Sequence, residues 1–202
     1  MVQRSRKANN FSAIFIVGDA SADEEHSIDR ILLDLEKAKR LHKIQFDIVS
    51  TQFAIHYMFE SEKSLRGYLS NVSSRLEVGG NFIGTTIDSD RLVYKIREAG
   101  AEKNLTIGND FFSVVFGQDT FDRKNGPFGL KYYFYLSDAV GHFQVADKKV
   151  KYVPEYLVQF DYLRRIAREY DLELEKKENF HDYYYNKIED PHLHPGYVRF
   201  NQ

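Results

Sequence analysis

The sequence predicts an α/β fold: a mostly parallel sheet covered by helices, with antiparallel strands added to it. Three observations lead there. Over residues 11–99, apolar strand-like runs alternate with helical periodicities, the pattern that builds parallel sheets. Beyond residue 107, two strand-like runs succeed one another with no helix between them, as in an antiparallel addition. The chain has 202 residues, 43% hydrophobic and 29% charged, enough for a sizeable core within one domain and too apolar for disorder.

The elements follow in order. Phe11 to Val17 is an apolar run ending in Gly18-Asp19 and reads as a buried strand. Ile28, Ile31, Leu32, Leu35 and Ala38 recur as one face of a helix. Phe46 to Gln52 reads as a second strand. Leu65, Leu69, Val72 and Leu76 define a second helix, with Ser61 as its N-cap and Glu62 favourably placed in the first turn. Gly79-Gly80 is expected to stop that helix, because glycine suits the left-handed conformation beyond a helix end. Phe82 to Thr86 follows as a strand, and Asp88 to Ala99 as a helix with Leu92, Val93 and Ile96 inward. Phe111 to Phe116 and Lys131 to Leu136 read as strands. Tyr162 to Tyr170 reads as a helix, Leu172 to Lys177 as a strand and His181 to Ile188 as a short helix.

Composition excludes several chemistries. Lysine and arginine total 28 against 30 acidic residues, a formal charge of -2, which does not suit a nonspecific nucleic-acid coat. That balance leaves room for a pocket that reads one base. Cysteine is absent, so no disulfide framework, thiolate nucleophile or cysteine-ligated metal is available. His192 and His194 have ligand-type spacing but sit between prolines and read as a surface tail, so no metal site is expected. No apolar stretch approaches the ~18 residues that span a bilayer, and no membrane partner is expected. The 16 Phe and 14 Tyr are expected mostly in the core, with Tyr132-Tyr133-Phe134-Tyr135 and Tyr183-Tyr184-Tyr185 more polar than packing alone requires. The charge-rich run Glu173 to Glu178 reads as a solvated face. No G-x-G-x-x-G phosphate loop occurs.

One segment is more specific. Phe46 to Glu60, FDIVSTQFAIHYMFE, gathers Gln52, His56 and Tyr57 around the end of a strand. In an open α/β sheet the carboxyl ends of strands are where ligands bind. The same residues, taken alone, also fit a satisfied histidine among packed aromatics. The run continues into others in a fixed order: Gly79-Gly80-Asn81-Phe82-Ile83-Gly84-Thr85-Thr86-Ile87-Asp88, Ile107-Gly108-Asn109, Phe128-Gly129-Leu130-Lys131-Tyr132 with Phe134 and Leu136, Val153-Pro154-Glu155-Tyr156-Leu157-Val158, and Asn179-Phe180-His181. Together with the Phe11–Asp19 segment, these blocks resemble the eukaryotic mRNA cap guanine-N7 methyltransferases over nearly all of residues 11–188.

The resemblance implies a Rossmann-like class I methyltransferase sheet and methyl transfer from S-adenosylmethionine to N7 of the terminal guanine of capped RNA. It implies that Asp19, Gln52 and Tyr57 contact the cofactor, Asp19 at the adenine amino group and the others at the methyl-transfer pocket. It implies that His56 and Glu155 bind the guanine, Glu155 at the N1–H and N2–H₂ donor edge and His56 at O6. No catalytic base is implied, because N7 already carries an in-plane lone pair and the work is alignment. The resemblance divides a single domain into a cofactor side at 11–99, a cap side at 107–188 and an unmatched tail at 189–202. It also implies a nuclear protein acting on the capped 5′ end of RNA, with an activator subunit or other capping enzymes as further partners.

The departures carry expectations too. The family's first strand with its glycine-rich loop precedes the region equivalent to Phe11, so the chain is expected to lack it, bind cofactor weakly and turn over poorly alone. Apolar edges of the sheet are expected to be uncovered in consequence. Gly141 to Tyr152 reads as an inserted surface loop. The alternative is a noncatalytic cap-binding or interaction relative that lost the cofactor loop. A methyltransferase acting on a small molecule fits less well, since it leaves Glu155 and His56 as coincidences.

Overall fold

The computed structural model describes residues 15–22, 28–40, 43–98, 105–117, 120, 126–137, 142–144 and 149–188. Helix α1 (Ile28–Lys39) is followed by strand β1 (Phe46–Gln52) and a 3₁₀ helix (Ile55–Glu60). Helix α2 (Glu62–Arg75) follows, capped as its sequence predicts: the Ser61 hydroxyl accepts from the Ser64 N–H at 3.1 Å. Strand β2 (Leu76–Thr85) runs parallel to β1, and helix α3 (Ser89–Glu98) begins with the Asp88 carboxylate accepting from the Arg91 N–H at 3.0 Å.

The second half is antiparallel. Strands β3 (Thr106–Gly108), β4 (Phe112–Phe116), β5 (Lys131–Leu136) and β8 (Val153–Tyr156) form one sheet in the order β3-β4-β5-β8. Strands β6 (His142–Gln144) and β7 (Lys149–Lys151) pair as a separate hairpin. Helices α4 (Phe160–Arg168) and α5 (Phe180–Ile188) follow. The α/β class and the combination of parallel and antiparallel strands hold, with the parallel part confined, among the described residues, to β1 and β2.

Four local expectations are corrected. The strand expected at Phe11–Val17 lies outside the described residues up to 14, and residues 15–17 form no strand, with Phe15 and Val17 exposed. Gly79-Gly80 does not end α2. The helix stops at Arg75, whose buried guanidinium is held by Glu36 and the Ile44 carbonyl, and Leu76 is already extended. The glycines instead lie in a bulge of β2: Phe46 faces Leu76 but Ile48 faces Asn81, so several β2 residues loop out. Gly79, at φ +83°, supplies the left-handed residue this detour needs. Residues 172–177 make no ladder; Leu172 packs on the core and Lys177 Nζ lies 4.1 Å from the Phe160 ring centroid. The inserted segment is a hairpin rather than a plain loop in its described residues.

Packing separates into two apolar clusters. One joins Ile55 and Phe59 of the 3₁₀ helix, Leu65, Leu69 and Val72 of α2, and Leu163 and Ile166 of α4. Leu65, Leu69, Phe59 and Ile166 have no accessible surface, and burial of each such side chain stabilises the fold by roughly 1.5–3 kcal/mol. The other cluster joins Ile96 of α3, Val114 and Phe116 of β4, and Tyr132 of β5. Residues from β8 onward serve both: Tyr156 and Val158 enter the first cluster and Leu157 the second. Phe46, Ile48 and Ile83 of the parallel pair stand exposed.

Candidate active site

The site forms where the 3₁₀ helix meets β8, on the seam between the two clusters. β1 ends at Gln52, and Phe53, at φ +48°, turns the chain sharply. The turn is fixed by the Phe53 N–H, which donates to the carbonyl of Thr85 at 3.0 Å. The short helix that follows drives Ile55 and Phe59, four residues apart, into the core and carries His56 in with them. It is tied to its surroundings by the Gly129 N–H donating to the Phe59 carbonyl at 2.9 Å and by the Tyr156 hydroxyl donating to Glu60 Oε1 at 2.9 Å.

Glu155 enters from β8, an edge strand, where Pro154 is tolerated because its missing N–H breaks no second ladder. Directly opposite Glu155 in register stands Tyr132 of β5, so the two side chains share a face. The Tyr132 hydroxyl donates to Glu155 Oε2 at 2.6 Å, and Glu155 Oε1 lies 3.5 Å from His56 Nε2. Glu155, Tyr132 and His56 are 2%, 1% and 3% exposed, so three polar groups meet inside the protein. Tyr57, partly exposed, packs beside them, its ring centroid 4.3 Å from that of His56.

Burial sets the electrostatics. It pushes the His56 imidazole down to about 4, so the ring is neutral at neutral pH. Burial raises the Glu155 carboxyl above the ordinary carboxylate range, and the Tyr132 hydrogen bond opposes that rise. Tyr57 is raised by burial and by the charge of Glu155, and Tyr132 is held protonated by burial and its bond to Glu155. Both ring nitrogens of His56 are buried without a hydrogen-bond partner. A buried polar atom left unpaired costs about 1–3 kcal/mol, and such a group beside a buried carboxyl is the mark of a site built for a ligand.

The residues singled out from sequence fall into three places. His56, Tyr57 and Glu155 come together at this site. Gln52 lies at the carboxyl end of β1, where it accepts from Thr85 Oγ1 at 2.9 Å and donates to Ser50 Oγ at 2.9 Å. The Thr86 hydroxyl, at the neighbouring end of β2, is buried with no partner. That convergence of polar groups at the ends of two parallel strands fits the edge at which α/β sheets bind ligands. Asp19 is elsewhere: it lies exposed in a turn, accepting from the Ser21 N–H at 2.8 Å and hydroxyl at 2.7 Å. These bonds hold its carboxyl below the usual range. The turn is fastened to α2 by Asn71 Nδ2 donating to the Ala20 carbonyl at 2.9 Å. Sequence reasoning missed Tyr132, Phe53 and Thr85 as site residues, although all three lie inside the recognised blocks. Among the described residues no cluster of His, Asp and Glu could hold a metal ion, and no helix is long and apolar enough to cross a membrane.

The sequence model of the mRNA (guanine-N(7))-methyltransferase domain matches residues 1–199, and the chain belongs to that family. It is 35% identical over 189 residues to mRNA cap guanine-N(7) methyltransferase 1 of Arabidopsis thaliana, covering 92% of this chain and 44% of that protein. It is 39% identical over 166 residues to the mRNA cap guanine-N(7) methyltransferase of Schizosaccharomyces pombe, covering 82% of this chain and 40% of that one. The chain thus spans less than half the length of these relatives. A distant likeness in fold, at TM-score 0.36 and 14% identity, exists to an S-adenosylmethionine-dependent methyltransferase from Clostridium acetobutylicum, covering 71% of this chain and 59% of that one.

Proposed function

We propose that these residues form the guanine pocket and part of the methyl-donor site of an mRNA cap guanine-N7 methyltransferase. The observation that carries the reading is the buried Glu155 carboxyl set 3.5 Å from a His56 imidazole whose two nitrogens have no partner. Guanine presents adjacent N1–H and N2–H₂ donors and an O6 acceptor on one edge. Glu155 accepts from the two donors. His56, neutral but still carrying one N–H, donates to O6. Tyr57 closes the pocket against water, which strengthens each of these bonds.

S-adenosylmethionine supplies the electrophilic methyl group when bound. Gln52 and Tyr57 would hold it at the ends of β1 and β2, and Asp19 would take its adenine amino group. Guanine N7 needs no proton removed, so the protein contributes position: the Watson–Crick edge is clamped and N7 is left facing the donor side. The same reading makes the capped 5′ end of RNA the substrate and the nucleus the place of work; a fluorescent fusion viewed in cells tests the latter.

The test is a calorimetric titration of the cap dinucleotide GpppG into the chain and into Glu155→Ala, with circular dichroism as a check on folding. Binding by the wild type, reduced at least tenfold in the variant, is the expected result, a carboxylate in two charge-assisted hydrogen bonds being worth that much or more. Equal binding by the two proteins would overturn the assignment of Glu155. Tritiated methyl transfer to GpppG, with the product resolved as 7-methylguanosine, separates a catalytic chain from one that only binds.

A further inference from the structure

Tyr132 sits in a position that packing alone would fill with phenylalanine. Its ring is in the second apolar cluster with Val114, Leu157 and Phe116, whose ring centroid is 5.7 Å away. A hydroxyl buried in such surroundings costs stability unless it is paired, and the partner here is Glu155 Oε2, at 2.6 Å. The other groups around the carboxyl do not do this work. His56 and Tyr57 approach from the 3₁₀ helix without a hydrogen bond to it, while Glu60 is engaged by the Tyr156 hydroxyl and Lys131 Nζ lies 5.7 Å from the centroid of the Tyr156 ring.

We propose that Tyr132 is the positioning residue of this pocket: by donating to Glu155 Oε2 it fixes the plane of the carboxylate and turns Oε1 toward the base beside His56, so that Tyr132 sets selectivity for guanine over a purine lacking the 2-amino group. The inference rests on the guanine reading above and extends it. Two parallel bonds to N1–H and N2–H₂ demand a carboxylate held in the plane of the base. A carboxylate free to rotate keeps one bond at a time, and the advantage of the 2-amino group disappears. The hydroxyl has a second effect. Its bond favours the charged form of Glu155, which burial otherwise disfavours, so removing it makes the carboxyl easier to protonate.

The experiment compares GTP with ITP, which lacks only the 2-amino group, in calorimetric titrations of the wild type, Tyr132→Phe, Glu155→Gln and the double variant. Phenylalanine keeps the ring packing, and circular dichroism confirms the fold. Wild type is expected to prefer GTP by about tenfold, the size of one good hydrogen bond to a charged group. In Tyr132→Phe the preference falls toward unity and GTP affinity drops by a similar factor, whereas adding Tyr132→Phe to Glu155→Gln changes nothing further. Independently of any ligand, ¹³C NMR of the Glu155 carboxyl should show its titration midpoint moving to higher pH in Tyr132→Phe. A folded Tyr132→Phe that keeps both the GTP preference and the midpoint overturns this inference and leaves the guanine reading standing. A wild type with no preference for GTP overturns the selectivity role and the guanine reading together.

Discussion

Both ring nitrogens of His56 are buried without a hydrogen-bond partner, and burial holds its pKa down to about 4 against 6.5 for the exposed group. Between those two values the unfolded chain binds more protons than the folded one. Stability therefore rises with pH across that window and is lost as pH falls through it, by up to about 3 kcal/mol for a shift of this size. Glu155 works in the opposite sense, because its folded pKa is raised and its protonation on acidification favours the folded state. Replacing His56 isolates the first effect. In urea unfolding followed by circular dichroism, His56→Gln should lose less stability than wild type between pH 7 and pH 4.5. Equal losses would mean that the imidazole is not kept neutral by the fold. His56 and Glu155 were legible as a pair because each lies in a recognisable run of residues. Tyr132 was not, although it lies in one too: periodicity marks it only as a core aromatic. Its role appears once register places it opposite Glu155.

Among elements, the helices read clearly and the glycines did not. The starts of α2 and α3 follow from apolar spacing and N-caps, which are local properties of the chain. A Gly-Gly pair after a helical run fits a helix end and a strand bulge equally well; only the pairing of β2 with β1 decides, and that is not written locally. The extended run at 172–177 failed for a related reason, since a strand needs a partner edge and Lys177 rests on Phe160 instead. The glycines also differ in what they permit. A Cβ at Gly67, on α2, would stand 2.4 Å from the Ser21 carbonyl oxygen, backbone that cannot swing aside. A Cβ at Gly79 would meet nothing within 4 Å, so only its left-handed backbone resists substitution, at about 1–2 kcal/mol. Gly67→Ala should therefore lower the melting temperature more than Gly79→Ala. Because it displaces the turn that carries Asp19, it should also weaken binding of S-adenosylhomocysteine, which Gly79→Ala leaves unchanged. Melting curves and a calorimetric titration of the two variants check both halves, and a reversed order would show that α2 can shift to admit the methyl group.

At the scale of the molecule, the pocket lies between two apolar clusters that share β8 and the residues just after it. Alternation along this segment sends Tyr156 and Val158 to one cluster and Leu157 to the other. Glu155 is the residue before them, so the geometry of the pocket depends on both clusters holding the strand at once. Such sharing predicts a single cooperative unfolding transition. Leu157, 2% exposed, is the test position, and Ile166, with no exposed surface in the first cluster alone, is the control. Each change to alanine should cost about 2–5 kcal/mol. If β8 couples the clusters, both variants shift one common transition, seen alike by far-ultraviolet circular dichroism and by the fluorescence of the tyrosines, the chain having no Trp. If the clusters unfold independently, Ile166→Ala lowers one step and leaves another in place, and the two probes separate. In the coupled case, damage to either cluster reaches Glu155 and His56 through the strand. Ile166→Ala should then weaken GpppG binding at temperatures just below its own melting transition, although Ile166 is not among the groups that bond to the pocket.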